Sequence, residues 1–280
     1  MVKPQSGVTT RGIGLELMRL RNQRKLGVRA VGQALGVSAS TISRIETGQR
    51  QPTSEEVASI LTFLGVVGVE RERLIDQARR QADSGFLEST TSTEQSSNFL
   101  NFEQRATRIT AFQLIGVPGL AQTTDYAHAL LSAVRVGDSD EDIQPWVGLR
   151  MRRQAILTRK NPPQLRWILT EVGLRQPIGG TRVLAKQLRH LVDEAERPHV
   201  RINVVPAEVV DHPGWPGSFM IMEFSAEPTV VHVEDRTTGL FIDDPDKVAF
   251  YRLTMEKLTD LALDESASVR LLQAIVSDLD

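Results

Sequence analysis

Ser38, Ala39, Ser40, Thr41 and Arg44 lie within seven consecutive residues, followed closely by Gln49 and Arg50. Small hydroxyl groups beside one guanidinium, presented from the first turns of a helix, can bond base edges in the major groove of duplex DNA. Ile42 and Ile45 are three apart and share a helical face with Val37, so all three are expected to dock on the preceding helix. That leaves Ala39, Ser40, Thr41 and Arg44 outward. Gly36 can end the preceding helix in the left-handed conformation. Ser38 can cap the next one by accepting from a free backbone N–H. The pattern predicts a helix-turn-helix whose second helix, 39–47, faces DNA. Ser40 and Arg44 are expected on bases, and Thr41, Gln49 and Arg50 mainly on phosphates.

The same stretch resembles the XRE, or lambda-repressor-like, helix-turn-helix family at Leu35, Gly36, Val37, Ser38, Ile42, Ser43, Ile45, Glu46, Gly48 and Pro52, all at the family's spacing. The resemblance implies base reading through Ala39, Ser40 and Arg44. Two positions depart from the pattern. Val28 stands where the family often has a phosphate-binding Gln. Gly32 stands where an Ala usually packs, an expected cost of about 1 kcal/mol in helix propensity. An αα-corner with no DNA role would show the same two helices, but charge argues against it. Residues 1–52 hold nine Lys and Arg against Glu16 and Glu46, a net of +7 within a chain of net −2. A basic head on an acidic body suits phosphate attraction confined to one end.

Other chemistries find little support. There is no cysteine, so disulfides, thiolate zinc sites and iron–sulfur ligation are excluded, which fits a reducing cytoplasm. His128, His190, His199, His212 and His232 are dispersed and form no metal-ligand pair. His232 and Glu234 share a strand face and read as a surface pair. No phosphate loop, dinucleotide fingerprint or nucleophile elbow occurs. No apolar run is long enough to span a membrane, and the first residues lack a signal-peptide core. The expectation is a cytoplasmic, nucleoid-associated protein that is not an enzyme and carries no cofactor or metal.

These groups need elements to hold them. Periodicity predicts helices over 13–24, 28–35, 39–47, from Thr53 onward and over 69–82, giving an all-α five-helix DNA-binding head at 11–82. Thr53 and Glu56 have capping-box spacing. Residues 83–98 are rich in Ser and Thr and are expected to form a flexible linker. Residues 99–280 are expected to form an α/β domain with a small mixed or antiparallel sheet. Its helices are expected at 99–110, 123–135, 141–160, 181–196 and from Pro245 to about 263, where the last one ends. Its strands are expected at 165–170, 200–205, 218–224 and 228–234. Segments 115–131, 147–159, 169–180, 212–224 and 241–252 resemble an uncharacterised domain that follows the XRE head in many bacterial regulators.

For that second domain three roles compete. A sensor would bind a small-molecule effector near Gln122, Tyr126, Glu171, Arg175 and Trp215, a mixture of polar and aromatic groups typical of pockets. A platform for dimerisation or for a small antagonist protein could use the acidic runs 138–142 and 243–246. A DNA-associated enzyme would need a catalytic cluster that is not seen. The same residues also have plain structural readings: Glu171 and Arg175 are four apart and suit a local ion pair, and an acidic run often caps a helix. The expected activity is sequence-specific transcription regulation on double-stranded DNA by a homodimer, modulated through the C-terminal domain by a ligand or protein partner.

Overall fold

The computed structural model describes residues 8–50, 52–80, 86–89, 92–234 and 239–279. The chain divides into two compact units, one of Met1–Asn98 with Ala226–Val231 and Asp235–Val248, the other of Phe99–Ser225 with His232–Glu234 and Ala249–Asp280. The head is built from α1 (Val8–Gln23), α2 (Val28–Ala34), α3 (Ala39–Glu46), α4 (Ser54–Phe63) and α5 (Val69–Arg80). Their apolar stripes meet in one core that includes Ile13, Leu17, Leu20, Val31, Ile42, Ile45, Val57, Ile60, Leu61 and Leu74. Thr53 and Glu56 form both halves of the capping box that starts α4.

Two glycines set how closely these helices approach. A Cβ on Gly14 of α1 would lie 2.1 Å from the Ile45 carbonyl oxygen, so α1 crosses α3 backbone to backbone. A Cβ on Gly32 would lie 2.7 Å from the Val37 carbonyl oxygen. Gly32 is therefore required by the turn between α2 and α3, and the propensity cost expected from sequence is the smaller consideration. Val37 corrects a second expectation. It is 38 % exposed, because the turn carries it off the helical face that Ile42 and Ile45 share.

Beyond the head come β1 (Phe86–Ser89), α6 (Ser92–Arg105), β2 (Arg108–Gln113), α7 (Thr124–Val134) and α8 (Asp140–Arg153). Next are β3 (Gln164–Thr170), α9 (Glu171–Leu174), α10 (Thr181–Ala195), β4 (Val200–Val205) and β5 (Phe219–Glu223). Then β6 (Val230–Glu234), β7 (Gly239–Ile242), α11 (Pro245–Leu261) and α12 (Glu265–Leu279) complete the order. Strands β2, β3 and β4 run parallel and β5 joins β2 antiparallel, so the sheet is mixed. Alternation puts Ile109, Ala111, Leu165, Trp167, Leu169, Ile202 and Val204 on one buried face.

Several boundaries differ from the sequence reading. Of the expected linker, 83–85, 90 and 91 lie outside the described residues. The described remainder is ordered: β1 pairs antiparallel with β7, Phe86 opposite Ile242 and Ser89 opposite Gly239, and α6 begins at Ser92. Local polarity was overridden there by a strand partner about 150 residues away in sequence. The helix expected to 110 stops at Arg105, because Arg108–Gln113 alternates exposed and buried positions in a strand. The helix expected to 160 stops at Arg153 and continues as a 3-10 turn to Leu157. The last helix is α12, not α11. It docks on β4 through Ser268, whose hydroxyl accepts the Val204 N–H at 2.9 Å.

Candidate functional site

Helix α3 carries the residues named from the sequence at its start. Ser38 caps it, accepting the Thr41 N–H at 3.1 Å, and its hydroxyl also bonds those of Ser40 and Thr41 at 2.8 Å each. Ser38, Ser40, Ser43, Arg44 and Gln49 are exposed, and Ala39 and Thr41 are half-buried. Ile42 and Ile45 are 2 % exposed and anchor the inner face. Among the described residues no side-chain partner holds the Arg44 guanidinium, which leaves it available to an outside acceptor.

The head's positive charge is distributed differently from the sequence count. Arg21 forms a two-pronged ion pair with buried Glu46 at 2.6 and 2.7 Å and also donates to the Leu26 carbonyl at 2.6 Å. That guanidinium ties the end of α1 to the end of α3 and to the turn before α2. Arg19 is held by Glu16 and Glu70. Arg50, expected on phosphate, is engaged by Glu56 at 2.7 and 3.1 Å. Among side chains that the structure describes, Arg24, Lys25, Arg29 and Arg44 remain exposed and free of ion pairs.

The five residues expected near an effector pocket are each engaged by neighbours of the fold. Gln122 and Tyr126 are buried at 2 % and 1 % exposure. Gln122 donates to the Val117 carbonyl at 2.7 Å and accepts from Arg150 at 2.9 Å. Burial pushes the Tyr126 phenol up to about 12, against the pull of a backbone bond with Val117. Burial likewise brings the Arg150 guanidinium down to about 10, with Arg153 adding repulsion. Glu171 takes Arg175 at 2.8 Å and the Ala207 N–H at 3.0 Å, while Arg175 reaches Asp278 at 3.3 Å. Trp215 is 60 % exposed, stacked on His212 with ring centroids 4.8 Å apart and bonded to the Val210 carbonyl. Gln122, Tyr126 and Glu171 thus hold the fold, and the side chains of Gln122 and Tyr126 are buried in it.

The acidic runs are mainly helix starts. Ser139 and Asp142 form a capping box for α8, and Asp244 accepts the Lys247 N–H at 3.0 Å at the start of α11. His232 corrects its surface reading. It is 6 % exposed beside Phe99, and burial, helped by Arg153, brings its pKa down to about 3. Among the described residues no helix is long and apolar enough to cross a membrane, and no group of three His, Asp or Glu is placed for a metal ion.

Residues 13–74 match a family model described as a helix-turn-helix domain. Residues 96–274 match one described as a domain of unknown function, DUF5753. The chain belongs to the DUF5753 family. Its head makes it a DNA-binding helix-turn-helix protein of the regulator type. No curated protein matches it in sequence. One solved structure, described as that of TrmBL2, an archaeal chromatin protein with a novel mode of DNA binding, is similar at 13 % identity and a TM-score of 0.31, over 81 % of this chain and 72 % of that one.

Within this DUF5753 protein the sequence reading passed over the Arg21–Glu46 pair, although Glu46 was matched on the family pattern and Arg21 counted among the basic residues. It also passed over Arg108, Arg166 and Arg201. Each occupies an outward strand position, but only strand pairing shows that they share one face.

Proposed function

We propose that this protein is a sequence-specific transcription regulator that reads duplex DNA with α3. The observation that supports this reading is the outward row of Ser40, Ser43 and Arg44 on a helix whose apolar side is locked into the head. Arg44 reads bases, and Ser40 sits one turn earlier on the same surface. Arg24, Lys25 and Arg29 supply phosphate attraction, whereas Arg50 contributes only by exchanging Glu56 for a phosphate. The protein acts as a homodimer, since one head spans few base pairs. Half-sites then lie about 10–10.5 bp apart. Its C-terminal domain is regulatory and does no chemistry.

The test is selection of bound duplexes from a randomised pool by the full chain, followed by affinity measurement across salt concentrations. An enriched motif with two-fold symmetry is expected. Arg44→Ala should weaken the selected site by about 1–3 kcal/mol and relax preference at one base position. A pool that emerges without any enriched motif would refute the reading. A platform role for the second domain is favoured by one observation: Ile115, Val172, Val210 and Trp215 are 63, 51, 61 and 60 % exposed. Sedimentation of the full chain, with Val172→Asp/Trp215→Ser as the comparison, tests whether that surface joins two copies.

A further inference from the structure

Strand pairing in the C-terminal domain gathers positive charge that the linear sequence disperses. Arg166 on β3 lies directly beside Arg201 on β4, and Thr110 on β2 is the next residue in the same row. Arg108 of β2 stands one row away, opposite Glu223 of β5. Because side chains alternate across a sheet, all of these project from one face. Arg252 and Glu256 of α11 form the facing wall of a cleft of about 440 Å³. Buried Ile221 and Met255 give it an apolar side.

The charges in the cleft do not balance. Glu223 takes Arg252 at 2.7 Å and lies 3.7 Å from Arg108. Arg201 reaches Glu265 at 3.3 Å, but both side chains are more than half exposed, and such pairs contribute little. Among the described residues Arg166 has no carboxylate partner. Like charges side by side on neighbouring strands are destabilising. The fold bears that cost in a domain whose overall balance is acidic, where one Glu in place of either arginine would relieve it. A ligand with several negative charges would relieve it too.

We infer that this cleft between the β2–β3–β4 face and α11 binds a small phosphate-bearing molecule, held by Arg166 and Arg201 with Arg108 and Arg252 at its edges. Guanidinium forks match phosphate oxygens two at a time, which favours phosphate as the recognised group. A cleft of this size suits a small molecule. Ile221 and Met255 would cover an uncharged part of the ligand. This names the effector chemistry for the regulatory role given above and rests on that role only for its consequence, because binding is measured without DNA.

The experiment is calorimetric titration of the full chain with inorganic tripolyphosphate at 0.15 M salt, with citrate and a short acidic peptide as competitors. One tripolyphosphate per chain is expected, weakened about tenfold or more in Arg166→Gln/Arg201→Gln and unchanged in Arg44→Ala. Removing adjacent like charges should not lower the melting temperature, so the double variant remains a fair comparison. Hydrogen exchange on the unaltered protein gives a second readout: tripolyphosphate should protect β3, β4 and α11. Absence of binding, protection of α3 instead, or loss of binding in Arg44→Ala but not in the double variant would overturn the inference. Citrate or peptide binding as tightly as tripolyphosphate would overturn the choice of phosphate. Tripolyphosphate bound in the cleft with DNA affinity unaltered would leave the site standing and remove its regulatory consequence.

Discussion

Replacing glycine by alanine inside a helix should have opposite signs at two positions of this chain. Helix propensity alone favours alanine by about 1 kcal/mol at both Gly32 and Gly148. In α8 a Cβ on Gly148 would meet only the tip of the Arg152 side chain, at 3.4 Å, and that flexible group can step aside. Gly148→Ala should therefore stabilise the C-terminal domain by up to about 1 kcal/mol. In α2 a Cβ on Gly32 would lie 2.7 Å from the Val37 oxygen, 3.2 Å from the Ala39 nitrogen and 3.3 Å from the Ser38 carbonyl carbon. Those are backbone atoms of the turn, so the helices must separate. Overpacking of this kind costs about 1–3 kcal/mol. Against the propensity gain, Gly32→Ala should destabilise the head by up to about 2 kcal/mol. Two domains need not unfold together, so native-state hydrogen exchange of α2, α3 and α8 amides is the suitable assay. The variant should also lose DNA affinity beyond its unfolded fraction, since the turn sets the pose of α3. A Gly32→Ala head more protected than the original, as propensity alone would make it, would refute the close-approach argument.

Two further outcomes follow from buried ionisable groups. Glu46→Leu leaves the Arg21 guanidinium, whose side chain is 11 % exposed, without its carboxylate and with only neutral acceptors, and should cost the head about 3 kcal/mol by urea unfolding. Arg21→Met/Glu46→Leu should recover most of that, and a double variant as unstable as the single one would show that the pair is not the cause. His232 has a pKa of about 3 in the fold against an ordinary 6.5, so the unfolded chain takes up its proton first as pH falls. Its contribution is intact above pH 6.5 and declines below it, by about 2 kcal/mol at pH 5. His232→Leu should flatten that part of the stability–pH curve, and an unchanged curve would refute the assignment.

Where an element's identity rested on local pattern, the sequence was a good guide. The head's helices follow apolar spacing, with Ile42 and Ile45 inward and the Thr53–Glu56 box formed as read. Strands β3 and β4 are short, apolar and bounded by turn residues, and α10 carries an unbroken amphipathic stripe. What escaped was decided at a distance. Strand β1 exists through β7, and β2 lies in a stretch that also fits helical periodicity. Gly32 looked like a weakness because propensity is local, while its necessity comes from a carbonyl in the following turn. Gln122 and Tyr126 have the residue types of a binding pocket, yet Val117 and Arg150 already engage their side-chain polar atoms inside the fold.

Charge makes the same point in both domains. A count over residues 1–52 gives +7, but Arg19, Arg21 and Arg50 are engaged by carboxylates of their own unit. Two of those carboxylates, Glu56 and Glu70, lie outside the counted block. Among the described side chains the positive field left to the proposed DNA surface therefore comes mainly from Arg24, Lys25, Arg29 and Arg44, around the turn before α2 and along α3. The acidic remainder conceals the reverse case. Arg108, Arg166, Arg201 and Arg252 are spread over about 145 residues among many carboxylates, and no window of the sequence makes them a patch. Parallel pairing puts two of them side by side, and α11 brings a third across from them. Net charge along a chain forecasts a binding surface only where the fold keeps sequence neighbours together. A helix-turn-helix head does so, and a mixed sheet with crossover connections does not.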